Sequence, residues 1–534
     1  MFKHLYKTLL FFGIIAMLLN CANRGTPTGG EIDIEPPIIT KSEPENFTTN
    51  FTGNEIKIYF NEYIKVKDLQ KQLIISPPMN NEPEIIPMGS ASKYISIKIK
   101  DTLQPNTTYA FNFGNSIVDN NEENPYPYYR YVFSTGNYID SLSVKGNILD
   151  AKERIVDKFV TVMLYDVDST FTDSIVYQKK PKYVTNTLDS TTTFSIDNIK
   201  EGKYLLVALK DGNNNYTFEP KTDKIAFHNE VISVPSDSTY TLKLFKEELD
   251  FDVKRPFQAA GQKIAFGFEG DYKSTDIQIQ AATPEGFEKR ITKDTKTDTL
   301  YYWHRPKLEI DSSFFVIKNK KFTDTVLHRF RDLKQDTLII RSLQSGTINF
   351  DEDFQLEGSI PFEKLDVSQI KIMDKDSADV AFTTEMDSIF NRYKFKFEKK
   401  ESQTYKVQML PNAITDFFGN VNDTLNYTLR TKLYSEYANV RVILKNAIYP
   451  IIVQLTDDKG IMKYEQFATE PKIFDFKNIT TGNYYLKIIF DTNGNQKWDS
   501  GNYLKKLQPE RISYDSNVIE ATSNWNWEIE FVIE

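Results

Sequence analysis

Two short polar stretches carry side-chain oxygens at positions one, three, five and nine. The later stretch places them at Asp491, Asn493, Asn495 and Asp499. The earlier stretch has the same spacing, at Asp211, Asn213, Asn215 and Glu219. Oxygens at alternate positions of a tight turn can surround a hard cation such as Ca²⁺, which takes six to eight oxygen ligands. Both stretches are therefore candidate calcium sites.

The spacing resembles the calcium loops of EF-hands, with two departures in the later stretch. The sixth position is Gln496 rather than Gly, and the twelfth is Asn502 rather than a bidentate Glu. The earlier stretch has Thr222 at its twelfth position, and each stretch holds only two carboxylates. The alternative is a Gly- and Asn-rich hairpin turn in which Asp and Asn side chains cap their own backbone. Both interpretations remain open from sequence, and calcium is the one cofactor that the residues suggest.

The sequence contains no residue pattern that indicates a catalytic site. After position 21 the histidines are His228, His304 and His328, which lie far apart. The chain has no His-Glu-x-x-His, no Gly-x-Ser-x-Gly and no phosphate-binding glycine loop. Acidic residues are scattered, so no carboxylate pair for glycoside hydrolysis can be selected. We therefore expect no enzymatic activity and no catalytic residues.

Two aromatic clusters could stack on sugar rings. One runs from Tyr126 to Tyr131, and the other consists of Trp525 and Trp527. In both, the aromatic residues alternate with polar ones, which is equally typical of a strand that faces a core. Core packing is the favoured interpretation.

The N-terminal stretch is an export signal. Lys3 and Lys7 precede an apolar run over residues 9–19 that is too short to span a bilayer as a mature helix. The run ends at Cys21, the only cysteine of the chain. This end resembles the lipobox of bacterial lipoproteins, which implies cleavage before Cys21, lipidation of that residue and tethering to a membrane. An ordinary secretory signal or an uncleaved anchor is the alternative.

Composition limits the partners of the exported part. The net charge of −9 over 534 residues gives no basic field for phosphates, so nucleic acid is excluded as an expected partner. Without a second cysteine there is no disulfide. After Cys21 no apolar run approaches the roughly 18 residues of a spanning helix, so the lipid is the expected membrane attachment.

Period-two alternation predicts half-buried strands in the first part of the chain. Ile56, Ile58 and Phe60 alternate with polar or amphipathic residues, and a second set follows at Ile95 and Ile97. Residues 34–137 resemble the bacterial Ig-like domain. The resemblance rests on Pro36-Pro37, on Leu103 to Tyr109 and on the closing Phe133-Ser134-Thr135-Gly136. Such domains serve as spacers or binding modules, so the resemblance implies a fold and no catalytic residues.

The chain contains internal repeats. Phe194 to Asp211 matches Phe474 to Asp491 without a gap, and the pattern resembles prealbumin-like or carboxypeptidase-regulatory-like sandwiches. The Ig-like pattern recurs too, since Thr404 to Asp416 echoes Thr108 to Asp119. No long amphipathic helix is evident. Together with its signal and spacer, the chain resembles lipoproteins of Bacteroidota.

We therefore predict an all-β chain of tandem Ig-like and prealbumin-like β-sandwich modules. The expected divisions are a signal peptide (1–20), a flexible spacer (21–33), Ig-like module 1 (34–137), prealbumin-like module 2 (138–247), module 3 of uncertain type (248–345), Ig-like module 4 (346–432) and prealbumin-like module 5 (433–534).

This organisation predicts a non-enzymatic, lipid-anchored cell-envelope protein that acts as a modular spacer, scaffold or binding protein. We expect a rod or bent string of modules. The alternative function is a calcium-stiffened carbohydrate-binding or adhesion lipoprotein. Expected partners are the membrane, through the lipid on Cys21, and a protein or glycan that the sequence does not name. Residues 22–26 lack the acidic residues that resemble a surface-export signal, which favours an outer-membrane protein with a periplasmic-facing body.

Overall fold

A computed structural model describes residues 33–187 and 191–533. The predicted signal peptide, Cys21 and nearly all of the predicted spacer lie outside these residues. The described residues are almost entirely β-structure, which confirms the predicted fold class. Besides strands they include one short α-helix, α1 (Leu69–Gln72), and three 3-10 helices. The 3-10 helices are Asp173–Tyr177, Val367–Gln369 and Tyr434–Glu436.

Module 1 is a sandwich of two antiparallel sheets. Its strands are β1 (Ile39–Glu43), β2 (Glu55–Val66), β3 (Ile74–Ser76), β4 (Glu84–Ile86), β5 (Ser92–Lys98), β6 (Thr108–Asn112), β7 (Ile117–Asp119) and β8 (Arg130–Ser134). One sheet has the order β1-β2-β5-β4, with β7 also paired to β2, and the other has the order β3-β6-β8. The alternating Ile56, Ile58, Ile95 and Ile97 are fully buried between the sheets.

Module 2 combines a larger antiparallel sheet with a three-stranded sheet. Its strands are β9 (Leu142–Asp150), β10 (Thr161–Asp166), β11 (Tyr183–Asn186), β12 (Thr193–Ile199), β13 (Gly202–Lys210), β14 (Lys224–Phe227), β15 (Ile232–Val234) and β16 (Thr239–Leu244). The larger sheet has the order β11-β10-β13-β14, with β15 also on β13. The smaller sheet, β12-β9-β16, contains a parallel pair, β9 and β16.

Module 3 is also a two-sheet sandwich. Its strands are β17 (Asp252–Val253), β18 (Phe257–Ala260), β19 (Lys263–Glu269), β20 (Thr275–Ile279), β21 (Glu288–Lys293), β22 (Thr299–Arg305), β23 (Ser312–Asn319) and β24 (Phe322–Arg329). The orders are β17-β19-β22-β21, with β18 also on β19, and β20-β23-β24.

Module 4 repeats the topology of module 1. Its strands are β25 (Ile340–Ser342), β26 (Gly346–Thr347), β27 (Phe354–Gly358), β28 (Phe362–Leu365), β29 (Ile370–Met373), β30 (Phe382–Asp387), β31 (Arg392–Phe397), β32 (Thr404–Met409), β33 (Ile414–Asp416) and β34 (Leu425–Arg430). The order β25-β27-β31-β30 corresponds to β1-β2-β5-β4, and β29-β32-β34 corresponds to β3-β6-β8. Because β25 pairs with β27, the predicted boundary at residue 345 falls inside a sheet of module 4.

Module 5 repeats the topology of module 2. Its strands are β35 (Ala438–Lys445), β36 (Ile451–Thr456), β37 (Met462–Ala468), β38 (Phe474–Ile479), β39 (Gly482–Phe490), β40 (Ile512–Ala521) and β41 (Asn526–Val532). The sheets β38-β35-β41 and β37-β36-β39-β40 correspond to β12-β9-β16 and β11-β10-β13-β14. The parallel pair recurs as β35 and β41.

Module 2 contacts both module 1 and module 5, because its larger sheet is apolar on both faces. Leu206 and Ala208 face the module's own core, whereas Leu205, Val207 and Leu209 on the same strand pack into a second cluster on the outer face. That second cluster includes Ile74 of module 1 and Tyr503 of module 5.

Neighbouring modules are joined by specific side chains. Arg130 of module 1 makes a 2.6 Å ion pair with Asp197 of module 2. Between modules 3 and 4, Trp303 packs with Ile360 and Phe417. The guanidinium of Arg305 lies 4.5 Å from the centre of the Phe417 ring. These contacts make the joints parts of the fold rather than free linkers.

Module 5 packs on module 2, so the predicted rod or bent string is wrong. Gln508 Nε2 donates to the Phe227 carbonyl at 3.0 Å, and Lys487 Nζ donates to the Lys152 carbonyl at 3.0 Å. Modules 2, 3, 4 and 5 therefore form a closed ring, with module 1 attached to module 2. In the part of the chain that the structure describes, no helix is long and apolar enough to cross a membrane.

Candidate functional site

The two Asp/Asn stretches occupy the same connection in modules 2 and 5. Residues 211–219 follow β13 and precede β14, and residues 491–499 follow β39 and precede β40. We call them loop 1 and loop 2. The repeated sheet order thus places both at the same end of the same sheet.

The first Asp of each loop holds the turn by accepting backbone hydrogen bonds. Asp491 is fully buried, and its two carboxylate oxygens accept from the N–H groups of Asn495 at 3.0 Å and Gln496 at 2.7 Å. In loop 1, Asp211 accepts from the N–H groups of Asn213 at 3.0 Å and Tyr216 at 2.8 Å. Each loop is therefore shaped by a carboxylate that its own backbone solvates.

The sixth position of each loop has the left-handed conformation that favours Gly, but another residue occupies it. Tyr216 and Gln496 have φ of 61° and 62°, and both carry side chains. Burial raises the pKa of the Asp211 carboxyl, although the backbone N–H bonds act in the opposite direction.

The amides at positions three and five donate to the carboxylate at position nine. In loop 2, Asn493 and Asn495 donate through Nδ2 to Asp499 at 2.5 and 2.8 Å. In loop 1, the corresponding amides of Asn213 and Asn215 both donate to Glu219 at 2.8 Å. A cation at the centre would need these amides to turn their oxygens inward. As they stand, the side chains satisfy one another, in agreement with the self-capping turn.

A further carboxylate closes each loop and was not recognised in the sequence. Glu510 accepts from the N–H groups of Thr492 at 2.7 Å and Asp499 at 3.1 Å. Asp223 does the same in loop 1, accepting from Gly212 at 3.0 Å and Glu219 at 2.8 Å. Asp223 and Glu510 could not be recognised as equivalent from the sequence, because they lie at different distances from position nine of their loops. Asp223 follows that position by four residues, and Glu510 follows it by eleven.

The twelfth-position residues have other roles. Asn502 accepts from the Lys505 N–H at 3.0 Å, and Thr222 donates to Asp223 at 2.8 Å. Among residues 33–187 and 191–533, no group of three or more His, Cys, Asp or Glu side chains is arranged to hold a metal ion.

Loop 2 lies beside a polar cleft of about 580 Å³ where three parts of the chain meet. Module 5 contributes Thr492, Asn493 and Asp499 to its lining, and module 3 contributes Lys320. Residues 248–251, which connect modules 2 and 3, line the remaining side. Lys320 is paired with Asp271 at 3.0 Å. Loop 1 instead borders a groove of about 350 Å³ between modules 1 and 2, lined by both polar and apolar residues.

The candidate aromatic clusters are divided between core and surface. Tyr131 is fully buried, Tyr129 is half-buried and Tyr128 is 48% exposed. Trp527 packs half-buried against the core of module 5, while Trp525 is 57% exposed. Core packing thus accounts for the inner members of each cluster and leaves one exposed ring in each.

The histidines do not form a catalytic group. His304 and His328 lie in the core of module 3, where both rings contact Phe330, with centroids 6.0 and 5.0 Å away. Both Nε2 atoms lack a hydrogen-bond partner. Burial lowers the pKa of His304, and it lowers that of His328 to about 4. His228 lies in module 2, where its Nδ1 is 2.9 Å from the Glu230 carbonyl.

Comparison with known families gives one match within module 1. Residues 33–135 match the bacterial Ig-like domain family. This confirms the resemblance that the sequence indicated for this module. No curated protein matches the sequence.

Solved structures similar to the chain come from other multi-domain β-proteins. Domains 1–6 of the surface layer protein SbsC are 10% identical, cover 91% of this chain and 67% of that chain, and give a TM-score of 0.16. The Bacillus anthracis TIE protein is 10% identical, with 95% and 76% covered and a TM-score of 0.15. The titin I9–I11 tandem is 8% identical, with 53% and 100% covered and a TM-score of 0.12.

Module 4 reproduces details of the Ig-like module as well as its topology. The Tyr109 hydroxyl accepts from the Gln104 N–H at 2.8 Å, and the Tyr405 hydroxyl accepts from the Lys400 N–H at 2.7 Å. Asp119 and Asp416 each cap the loop after the matching strand, because they accept from the N–H groups of Asn121 and Phe418.

Proposed function

We propose that this chain is a non-enzymatic, lipid-anchored envelope protein that acts as a scaffold or spacer and presents a binding surface to a neighbour. The bacterial Ig-like match and the all-β modules support this proposal. The anchor is argued from Cys21 and the preceding apolar run alone.

The observation that carries the scaffold role is how the modules are joined. The ion pair of Arg130 with Asp197 fixes module 1 against module 2, and the packing of Trp303 on Phe417 fixes module 3 against module 4. These side chains hold neighbouring modules in set orientations. Modules joined in this way suit a protein that positions other components.

The membrane anchor is tested by replacing the lipidated residue. We expect Cys21→Ser to abolish labelling by a palmitate analogue and to move the chain from the membrane fraction to the soluble fraction. Two acyl signals or more are needed for stable anchoring, so loss of the cysteine should release the protein almost completely. Asn23→Ser, two residues downstream, is the matched control. Retention of label in Cys21→Ser would contradict the lipoprotein assignment.

The partner and the face of the membrane are separate questions. Affinity purification of the lipidated protein after mild cross-linking in intact cells should recover a defined envelope neighbour. Protease treatment of intact cells should leave residues 34–534 uncut if the body faces the periplasm. Cleavage of the body from the cell surface would place it outside.

A calcium-stiffened adhesion or carbohydrate-binding protein is the second candidate. The observation in its favour is that loops 1 and 2 repeat the same side-chain frame in two modules. Rotation of the amides at positions three and five would place four side-chain oxygens around each loop centre. Calcium should then raise the midpoint of thermal unfolding relative to chelator, because a ligand of the folded state stabilises it. An unchanged midpoint would exclude this candidate.

A further inference from the structure

The contact between modules 2 and 5 joins parts of the chain that are far apart in sequence. Tyr503 and Glu247 are 256 residues apart, and Lys506 and Asp173 are 333 apart. Modules that follow one another in the chain are also connected by the polypeptide itself. The contact of module 5 with module 2 is held only by side chains and backbone hydrogen bonds, so this joint alone can open the ring without unfolding a module.

Most of this contact is made by residues 500–508, which we call the latch. The internal repeat shows that the latch is an addition to the shared fold. In module 2 the closing carboxylate follows position nine by four residues, and in module 5 by eleven, so module 5 has seven additional residues at this point. Module 2 forms the same sheet without them.

Tyr503 is the anchor of the latch. Its side chain is fully buried in the outer apolar cluster of module 2. The ring meets Phe227 edge to face at 5.3 Å and lies 6.2 Å from Tyr177. Its backbone N–H donates to Glu247 at 2.5 Å. A buried aromatic ring with a satisfied backbone is the usual form of a binding hot spot.

Gly501 permits the close approach that this insertion requires. A Cβ at this position would lie 2.7 Å from the ring of Phe245 and 2.7 Å from the Leu507 carbonyl. No side chain fits there without displacing one of them.

The remaining contacts around Tyr503 are polar. Lys506 pairs with Asp173 at 2.5 Å, and Ser500 donates to the Lys246 carbonyl at 2.5 Å. Beside the latch, the Arg154 guanidinium lies 4.0 Å from the centre of the Tyr485 ring. Trp498 of module 5 also packs partly buried against the cluster, and Lys152 Nζ lies 5.6 Å from the centre of its ring. One fully buried aromatic anchor within a contact that is otherwise partly exposed is typical of domain interfaces that form and separate.

We propose that the latch is a reversible clasp that switches the protein between a closed ring and an open chain of modules. In the closed state Tyr503 covers the outer face of module 2. In the open state modules 3, 4 and 5 move away from module 2, and the aromatic face made by Tyr177, Phe227 and Phe245 becomes accessible. This goes beyond the proposed scaffold role because it gives the scaffold two lengths and one concealed surface.

The first test asks whether the latch closes the ring. In the soluble chain from residue 26 onward, Tyr503→Ala should increase the radius of gyration measured by X-ray scattering and increase binding of a hydrophobic dye several-fold. Leu504→Ala is the matched control, because Leu504 is the next residue and is 56% exposed. An unchanged scattering profile in Tyr503→Ala would contradict the proposal.

A second variant tests the proposal independently, in case Tyr503→Ala misfolds. Deletion of residues 501–507 restores the spacing found in loop 1, which module 2 tolerates. This deletion should open the ring in the same way and leave amide protection in β39 unchanged. A deletion variant that retains the closed profile would show that the latch is dispensable.

The last test asks whether closure is reversible in the native chain. In hydrogen exchange, the amide of Tyr503 should exchange at least about tenfold faster than the core amides of β39, because it is exposed by opening rather than by unfolding. Added salt should accelerate it further, since Lys506 and Asp173 are partly exposed. Equal exchange rates for the latch and the β39 core would contradict reversibility.

Discussion

Asp491 and Asp211 show how one side chain can set the shape of a loop in two modules. Each accepts two backbone N–H groups, and each is followed at positions three and five by amides that donate to a second carboxylate. The sequence predicted that these residues act together. It could not determine which way the amides point, because donors and acceptors at the same spacing serve a cation or a self-contained turn equally well.

Removal of the Asp491 carboxylate should destabilise module 5. Asp491→Ala leaves the N–H groups of Asn495 and Gln496 without acceptors, which should cost about 2 kcal/mol of local stability. Hydrogen exchange of amides in β39 and β40 measures this locally, since a chain of several modules does not unfold in one step. Asp458→Ala, at an exposed position of the same module, should change it by less than about 0.5 kcal/mol. Equal effects of the two variants would contradict the role assigned to Asp491.

The histidines of module 3 predict a dependence of stability on pH. Their pKa values are lowered by burial, so the unfolded chain binds more protons than the folded one between about pH 6.5 and pH 4. Stability that is present above pH 6.5 should therefore be lost as the pH falls, by up to about 3 kcal/mol for His328.

Hydrogen exchange of β22 and β23 at pH values across this window measures the loss. His328→Phe keeps a ring in the cluster and removes one titrating group, so the loss should be smaller in this variant. Identical slopes for the variant and the native chain would show that His328 does not contribute.

At the scale of elements, strands could be predicted more securely than the contacts between modules. Ile56, Ile58 and Phe60 alternate with outward-facing residues, and period two alone placed β2 in a half-buried sheet. The run from Tyr204 to Leu209 contained a further signal, because it is apolar on both faces. In the repeat, Tyr485 and Lys487 occupy outer-face positions of β39, and that face is more polar. An apolar outer face indicates a covering partner, although not which one.

A single strand position explains why module 4 has no contact like that between modules 1 and 2. Ile74 of β3 is buried in a cluster that includes Val184 of β11, and the Val184 N–H donates to Ser76 of β3 at 3.1 Å. The registers of β3 with β6 and of β29 with β32 place Lys371 at the equivalent position, where it is exposed. A lysine on an edge strand prevents edge-to-edge packing.

Ile74→Lys should therefore detach module 1 from module 2. The change places a charge in an apolar cluster and should weaken the contact by about 2 to 5 kcal/mol while module 1 stays folded. Faster exchange in β11 and faster proteolysis within residues 135–141 would report the detachment. Lys371→Ile is the reciprocal control and should leave both measurements unchanged. Unaltered protection of β11 in Ile74→Lys would contradict the assignment.

At the scale of the molecule, the order of modules was predictable and their arrangement was not. Internal repeats in the sequence located the paired modules, and the strand topology of modules 1 and 4 and of modules 2 and 5 matches pair by pair. The ring depends on Tyr503 meeting residues more than 250 positions earlier. Within the sequence the latch looks like an ordinary polar loop. The pattern of residues within a loop does not show which distant part of the chain that loop will contact.

A closed body changes what the proposed lipid anchor would hold at the membrane. A string of five modules would reach far from the membrane, whereas the ring keeps modules 3, 4 and 5 beside module 2. The proposed anchor at Cys21 would then hold a compact body rather than a long stalk. Whether a neighbour binds the closed or the open form decides how the clasp contributes to function.

The distance between modules 2 and 5 in solution tests the closed arrangement most directly. Ile155 and Ile461 are 69% and 54% exposed, and they flank the contact between Glu153 and Gly460. The chain from residue 26 onward contains no cysteine, so spin labels at Ile155→Cys and Ile461→Cys would be the only ones present. Pulsed electron resonance should give a predominant short and narrow distance between them. A broad distribution centred at the long separation of a string with two modules between the labels would contradict the ring.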